Sequence, residues 1–149
     1  MLKEKDRIDR NYHLFWLNGS YNRELVGLQR RLFDIKQSMS NHSDDPKKAA
    51  HECGFKDLDE KHPAEQQMII TKTALEKKIE WRWAWKEHVG IDDYISSLSQ
   101  TQQDFINYLF DENLTLECAG KLSGLSRCRQ AADYRLRKIL KKFGIDEIL

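Results

Sequence analysis

An all-α fold is predicted by three features of the sequence. Apolar residues recur at steps of three and four in segment after segment, the spacing of one helix face. Only two residues are proline, while 33% are charged and 40% hydrophobic, a balance that suits a soluble helical protein. Ser, Thr, Asn and Gly stand where the apolar stripes begin and end, as helix punctuation. The predicted layout is a helical N-terminal region, a hairpin plus a long helix, followed by a C-terminal trihelical helix-turn-helix unit. The N-terminal, assembly region is placed at 1–95, with a polar loop at about 40–62, and the C-terminal unit at 96–149.

Residues 2–17 read as an amphipathic helix with Ile8, Tyr12, Phe15 and Trp16 on one side. Asn18-Gly19-Ser20 is expected to break it, with Ser20 or Asn22 capping the next helix. The second helix carries Leu25, Leu28, Leu32, Ile35 and Met39, widened by Val26 and Phe33. At fewer than three heptads, that stripe serves either an intramolecular hairpin or the seam of a homodimer. Ser40 to His62 is polar and gathers His42, His51, Cys53 and His62, with a helical turn near Phe55 and Leu58. Zinc favours four ligands in tight pairs, and His51-x-Cys53 with scattered histidines is a poor match, so no metal site is expected.

Pro63 suits the first turn of a long helix, and Gly90 sits just past its last periodic residue. Met68, Leu75, Ile79 and Trp83 form one stripe, with Ile70, Ala74, Trp81 and Trp85 beside it. The run WRWAWK at 81–86 is read as core or interdomain contact rather than a platform for bases. Residues 38–98 carry twelve acids against nine bases, which argues against a DNA face there. Ile91 to Ile95 links this helix to the C-terminal unit.

In that unit Ser99 caps a helix bearing Phe105, Ile106, Leu109 and Phe110, which Asp111-Glu112-Asn113 stops. Thr115 caps a short helix with Leu116, Ala119 and Leu122 inward, Gly124 supplies a turn, and Ser126 caps the third helix. Cys128, Ala131, Ala132, Leu136, Ile139, Leu140 and Phe143 share one face of the third helix. The opposite face shows Gln130, Tyr134, Arg137 and Lys141, flanked by Arg127, Arg129 and Lys138. Between Lys121 and Lys142 there are eight Lys/Arg and one acid, Asp133, so the segment is +7 while the chain is +1. Such concentration is what a phosphate-facing helix needs, and these seven residues are the expected DNA contacts.

Other classes find no support in the sequence. No apolar run approaches the roughly 20 residues that span a bilayer, so no membrane partner is expected. The opening MLKEKDRIDR lacks an apolar signal core, which points to the cytoplasm. Cys53, Cys118 and Cys128 are read as reduced thiols, two of them on inward helix faces. There is no Gly-rich phosphate loop, Gly-x-Ser-x-Gly elbow or His-Glu-x-x-His, so neither an enzyme, a cofactor nor a small-molecule substrate is expected. Asp92-Asp93 and Asp111-Glu112 sit at helix boundaries, where capping accounts for them.

The C-terminal stretch resembles the promoter-reading helix-turn-helix of sigma factors, their fourth conserved region. Leu114-Thr115-x-Glu117-x-Ala119-x-x-Leu122 resembles its Leu-Ser-x-x-Glu-Ile-Ala-x-x-Leu, and Leu125-Ser126 its Ile-Ser. Tyr134-Arg135-x-Arg137-Lys138-x-Leu140-Lys141-Lys142 resembles its basic tail. The layout is similar to small phage late-gene transcriptional activators of the RinA and ArpU type. Two departures stand out: Leu122-Ser123-Gly124-Leu125-Ser126 has one residue more than the usual turn, and Gln130 replaces a β-branched residue. The resemblance implies a sequence-specific double-stranded DNA-binding regulator acting with host RNA polymerase in a bacterial cell. The alternative is a helical adaptor or DNA-packaging protein that uses the same unit for protein contact.

Overall fold

The computed structural model describes residues 3–41 and 64–144. Among these residues the chain is all α, with no strand: α1 Glu4–Asn41, α2 Ala64–Val89, α3 Ile91–Ser96, α4 Gln100–Ile106, α5 Leu116–Ser123 and α6 Arg129–Lys142. A π-helical turn, Asn107–Asp111, continues α4. His42, His51, Cys53, Phe55, Leu58, His62 and Pro63 lie outside the described residues, as does the expected polar loop beyond Asn41. Two compact units share the elements, one of Met1–Arg23 with Ala84–Leu149 and one of Glu24–Trp83. Packing therefore crosses the expected 95/96 boundary, because the first part of α1 is bonded to the C-terminal helices.

In the first unit, α1 contributes a stripe in steps of four: Arg7, Asn11, Phe15, Gly19 and Arg23. Such steps keep side chains on one slowly winding face. Phe15, almost wholly buried, lies at its middle, its ring 5.5 Å from Phe143, 5.7 Å from Phe110 and 6.2 Å from Tyr94. Below it, the buried Asn11 donates through Nδ2 to the Leu140 carbonyl at 2.7 Å and the Phe143 carbonyl at 3.2 Å. Arg7 adds a bond to the Phe143 carbonyl at 3.0 Å. Above it, Arg23 donates to the carbonyls of Phe110 and Asp111. The last carbonyls of a helix have no partner within it, so α1 caps the ends of both α6 and the π-helical turn.

The expected break at Asn18-Gly19-Ser20 is not there, since α1 runs unbroken through it. Both break signals serve packing instead. A Cβ on Gly19 would overlap the Phe110 carbonyl, and the Asn18 oxygen accepts from Lys86 Nζ at 2.8 Å. The first helix also faces differently from its apolar pattern: Leu14 joins Phe15 in the core, while Tyr12 and Trp16 are exposed. The stretch read as a linker is α3, with Ile91 fully buried and the Tyr94 hydroxyl donating to the Ile139 carbonyl at 2.6 Å.

Lys86, 3% exposed, centres a polar knot in this unit. Its ammonium donates to Asn18 and Asn22 and lies 3.1 Å from an Asp92 carboxylate oxygen. Asn22 passes the chain on, donating to Asp111 Oδ1 at 3.1 Å. The two acidic pairs read as caps thus each supply a member to one network around the buried Lys86. Burial pushes the Asp111 carboxyl above its ordinary value, against the pull of the Asn22 bond, Lys86 and Arg23.

In the second unit, Ile35 of α1 packs with Ala64, Met68 and Leu75 of α2, joined by Leu28, Leu32 and Met39. The stripe that could have been a homodimer seam is thus the inside of a helix pair, while Val26 and Phe33 stand exposed. Trp81 and Trp83, expected as core or interdomain contact, are not core: they are 56% and 48% exposed. A two-helix unit has one internal face per helix, little wider than roughly 100°, and both indoles fall outside it. Of the three indoles Trp85 turns inward, half-buried in the first unit with its ring 4.9 Å from Tyr21.

Two measurements follow from this packing. Gly→Ala within a helix normally stabilises by about 1 kcal/mol. Gly27→Ala, with open space around it, should do so. Gly19→Ala should lower the urea midpoint instead, and equal gains at both positions would show that Phe110 does not press on α1. For Asp111, a raised folded pKa means the native state binds the proton more tightly than the unfolded state. Its contribution is therefore most favourable at low pH and declines as pH rises through the raised value. Asp111→Asn should gain on wild type as pH climbs through the carboxylate range, with a plateau near neutrality. A gap that stays constant across the pH series would refute the shift.

Candidate nucleic-acid interface

The trihelical unit is built from local signals. Ser99 forms a capping box: its hydroxyl accepts from the Gln102 amide at 3.3 Å and its amide donates to Gln102 Oε1 at 3.1 Å. The helix tightens no further after Ile106 but widens, the Glu112 amide reaching the Asn107 carbonyl at 3.0 Å. Asn113, at φ 57°, ends it in the left-handed region that Asn tolerates. Thr115 caps α5 by accepting from the Cys118 amide at 3.2 Å. Gly120 lets α6 approach α5, since a Cβ there would meet Ser126 Oγ and lie 3.2 Å from Ala132 Cβ.

From this point the structure departs from the expected register. Gly124, at φ 78°, closes α5, and α6 begins only at Arg129, so the connection is residues 124–128. Ser126 does not cap α6. Its hydroxyl donates instead to the Cys128 carbonyl at 3.4 Å, and its amide bonds Gly120. Cys128 holds the N-cap position with no side-chain bond. The extra turn residue carries the helix start beyond the packed face, which also leaves Cys128 exposed rather than inward. Cys118 is exposed as well, and Leu122, expected inward, is 62% exposed. The remaining inward residues of α6 behave as expected: Ala132, Leu136, Ile139, Leu140 and Phe143 are buried and Ala131 is half-buried.

All seven residues expected to meet DNA are exposed. Arg127 stands in the connection and Arg129 is the first residue of α6. Gln130, Tyr134, Arg137, Lys138 and Lys141 follow along its outer side. The Lys138 ammonium sits 4.6 Å from the Tyr134 ring centre and lowers the phenol pKa from its ordinary value. Two of the cations are engaged by carboxylates: Arg137 Nε is 3.0 Å from Asp133, and Lys141 Nζ is 3.1 Å from Glu4 of α1. Arg135 and Lys142 are also exposed on the same helix.

The positive end of α6 is built without the usual compensation. No acid stands in its first turn and no side chain caps it, while Arg127 and Arg129, both exposed, flank its N-cap Cys128 in sequence. Cations beside a helix N-terminus cost roughly 0.3–1 kcal/mol each, and the same end attracts anions. Along its flank α6 meets α1 in a groove of about 530 Å³, where Glu4 and Asp9 face Arg137. Among the described residues no cluster of His, Cys, Asp and Glu could hold a metal ion, and no helix is long and apolar enough to cross a membrane. Compared with known protein families, curated proteins and solved structures, the chain matches none significantly.

Glu4 competes with any phosphate for Lys141. Glu4→Gln should therefore tighten binding to duplex DNA and steepen log K against log salt by up to about 0.9, one more phosphate contact. Fluorescence anisotropy over a salt series reads both, and an unchanged slope would mean Lys141 takes no part.

Proposed function

We propose that this chain is a double-stranded DNA-binding transcription regulator rather than a catalyst, with α6 laid against the duplex. The observation that carries the reading is the uncapped, arginine-flanked start of α6, at the head of a helix whose outer side is cationic and exposed. Such a terminus is locally unfavourable in the free protein and becomes favourable against phosphate. Arg127, Arg129, Arg137, Lys138 and Lys141 are assigned to phosphates or base edges, with Gln130, Tyr134 and Arg137 outermost on the helix, where a groove would be read. The resemblance to sigma-factor helix-turn-helix units and to phage late-gene activators of the RinA and ArpU type supports a promoter-proximal site and RNA polymerase as the partner. Two half-sites read by two copies would supply the affinity one unit lacks. The exposed Leu122 favours a second reading, in which α5 and α6 dock on protein.

With about five phosphates neutralised, log K should fall against log salt with a slope near −4.5. Replacing a base reader by Ala should cost about 1–3 kcal/mol on the preferred site and far less on random duplex. Binding selections from fragmented genomic DNA followed by titration measure both. Salt-independent association, or none with any duplex, leaves the protein-docking reading.

A further inference from the structure

The second unit holds a cationic groove that the DNA reading does not use. It is about 680 Å³ in volume and runs between α1 and α2. Arg31 comes from α1, and Ala74, Lys77, Lys78, Trp81 and Arg82 from α2. We infer that this groove receives an acidic amphipathic helix of a partner protein, its apolar side on Ala74 and Trp81 and its carboxylates toward Arg31, Lys77 and Lys78.

Three observations converge on that occupant. First, the carboxylates of α2 are segregated, with Lys72 paired to Glu76 among them. At 100° per residue Glu65, Glu76 and Glu80 lie within roughly 60° of one another, while Lys77, Lys78 and Trp81 lie on the other side. Among the described residues no carboxylate lines the groove, and Glu24, 2.8 Å from Arg82 Nε, answers one of its four cations. Charge complementarity therefore calls for an acidic segment. Second, the floor is apolar. Leu75 is buried beneath it, and Ala74 and Trp81 are exposed upon it. An occupant must carry carbon as well as charge, as a helix laid into a groove does. Third, the described residues of the unit form one helix pair, and a third helix is the simplest layer to cover their remaining apolar side chains.

A nucleic acid fits less well. Single strands are held by successive aromatic side chains, whereas Trp83 lies roughly 160° around α2 from Trp81. One indole offers one stacking place. A duplex backbone would set its phosphates over the alanine and indole floor and leave that carbon unmatched.

The test uses the full chain and a labelled synthetic helix of about 18 residues, with Leu and Phe on one face and Glu and Asp on the other. A composition-matched scrambled peptide and a labelled oligo-dT strand serve as competing probes. Anisotropy should show saturable binding of the amphipathic peptide over the scrambled one. Lys77→Glu with Lys78→Glu should weaken it about tenfold, the equivalent of one decade in Kd. Trp81→Ala, which leaves every charge in place, should weaken it by a similar factor, with duplex binding by α6 unchanged in both variants. Equal affinity for the scrambled peptide, indifference to these substitutions, or oligo-dT binding that they abolish would each overturn the inference. Peptide binding by a protein that fails to bind duplex DNA would leave this inference standing and remove the DNA reading alone.

Discussion

The cationic outer side of α6 can act as a surface only if its inner side is held, and α1 does the holding. Arg7 and Asn11 close the carbonyl end of α6, Arg23 closes the π-helical end of α4, and Phe15 fills the space between them. A buried carbonyl without a partner costs about 1–3 kcal/mol. Asn11 answers two such groups with one amide, and its own oxygen accepts from Arg10 at 3.1 Å. The trihelical unit is therefore completed from outside. Its two open helix ends are finished by side chains more than eighty residues earlier in the chain.

That dependence explains which parts of the fold were legible. Capping is local, so Ser99, Thr115, Gly90 and Gly124 could be read from their neighbours, and each stands at the helix end expected of it. The buried face of α6 was legible because apolar residues repeat at helical spacing. The inner face of α1 was not, because its members are Arg, Asn, Phe, Gly and Arg. A search for apolar periodicity passes over such a stripe, and the same search reads Asn18-Gly19 as a break. Glycine in a helix is unfavourable only in isolation. Beside the Phe110 carbonyl it is the residue that permits contact.

The connection between α5 and α6 shows the reverse case. One residue beyond the usual turn length was visible in the sequence, yet its consequence required the backbone. Ser126 is drawn toward Gly120 rather than to the first turn of α6, so the helix opens at Arg129 with no hydroxyl to receive its amides. Cys128 and Leu122 then turn to the surface together. The seven residues expected to meet DNA stay exposed through that shift because a helix face tolerates a later start. Their positions are set by spacing along α6, whereas the caps depend on which residue comes first.

Charge was the least legible property in linear form. The chain is near neutral, with 25 bases and 24 acids, and residues 38–98 read as mildly acidic. Helical geometry sorts what such sums average. In α6 it directs most of the cations outward and leaves one acid, Asp133, among them. In α2 it sends acids to one side and Lys77 and Lys78 to the other, where Arg31 of a different helix joins them. A count over a window treats neighbours in sequence as neighbours in space. On a helix, residues next to one another point roughly 100° apart, so Glu76, paired with Lys72, and Lys77, lining the groove, belong to different surfaces.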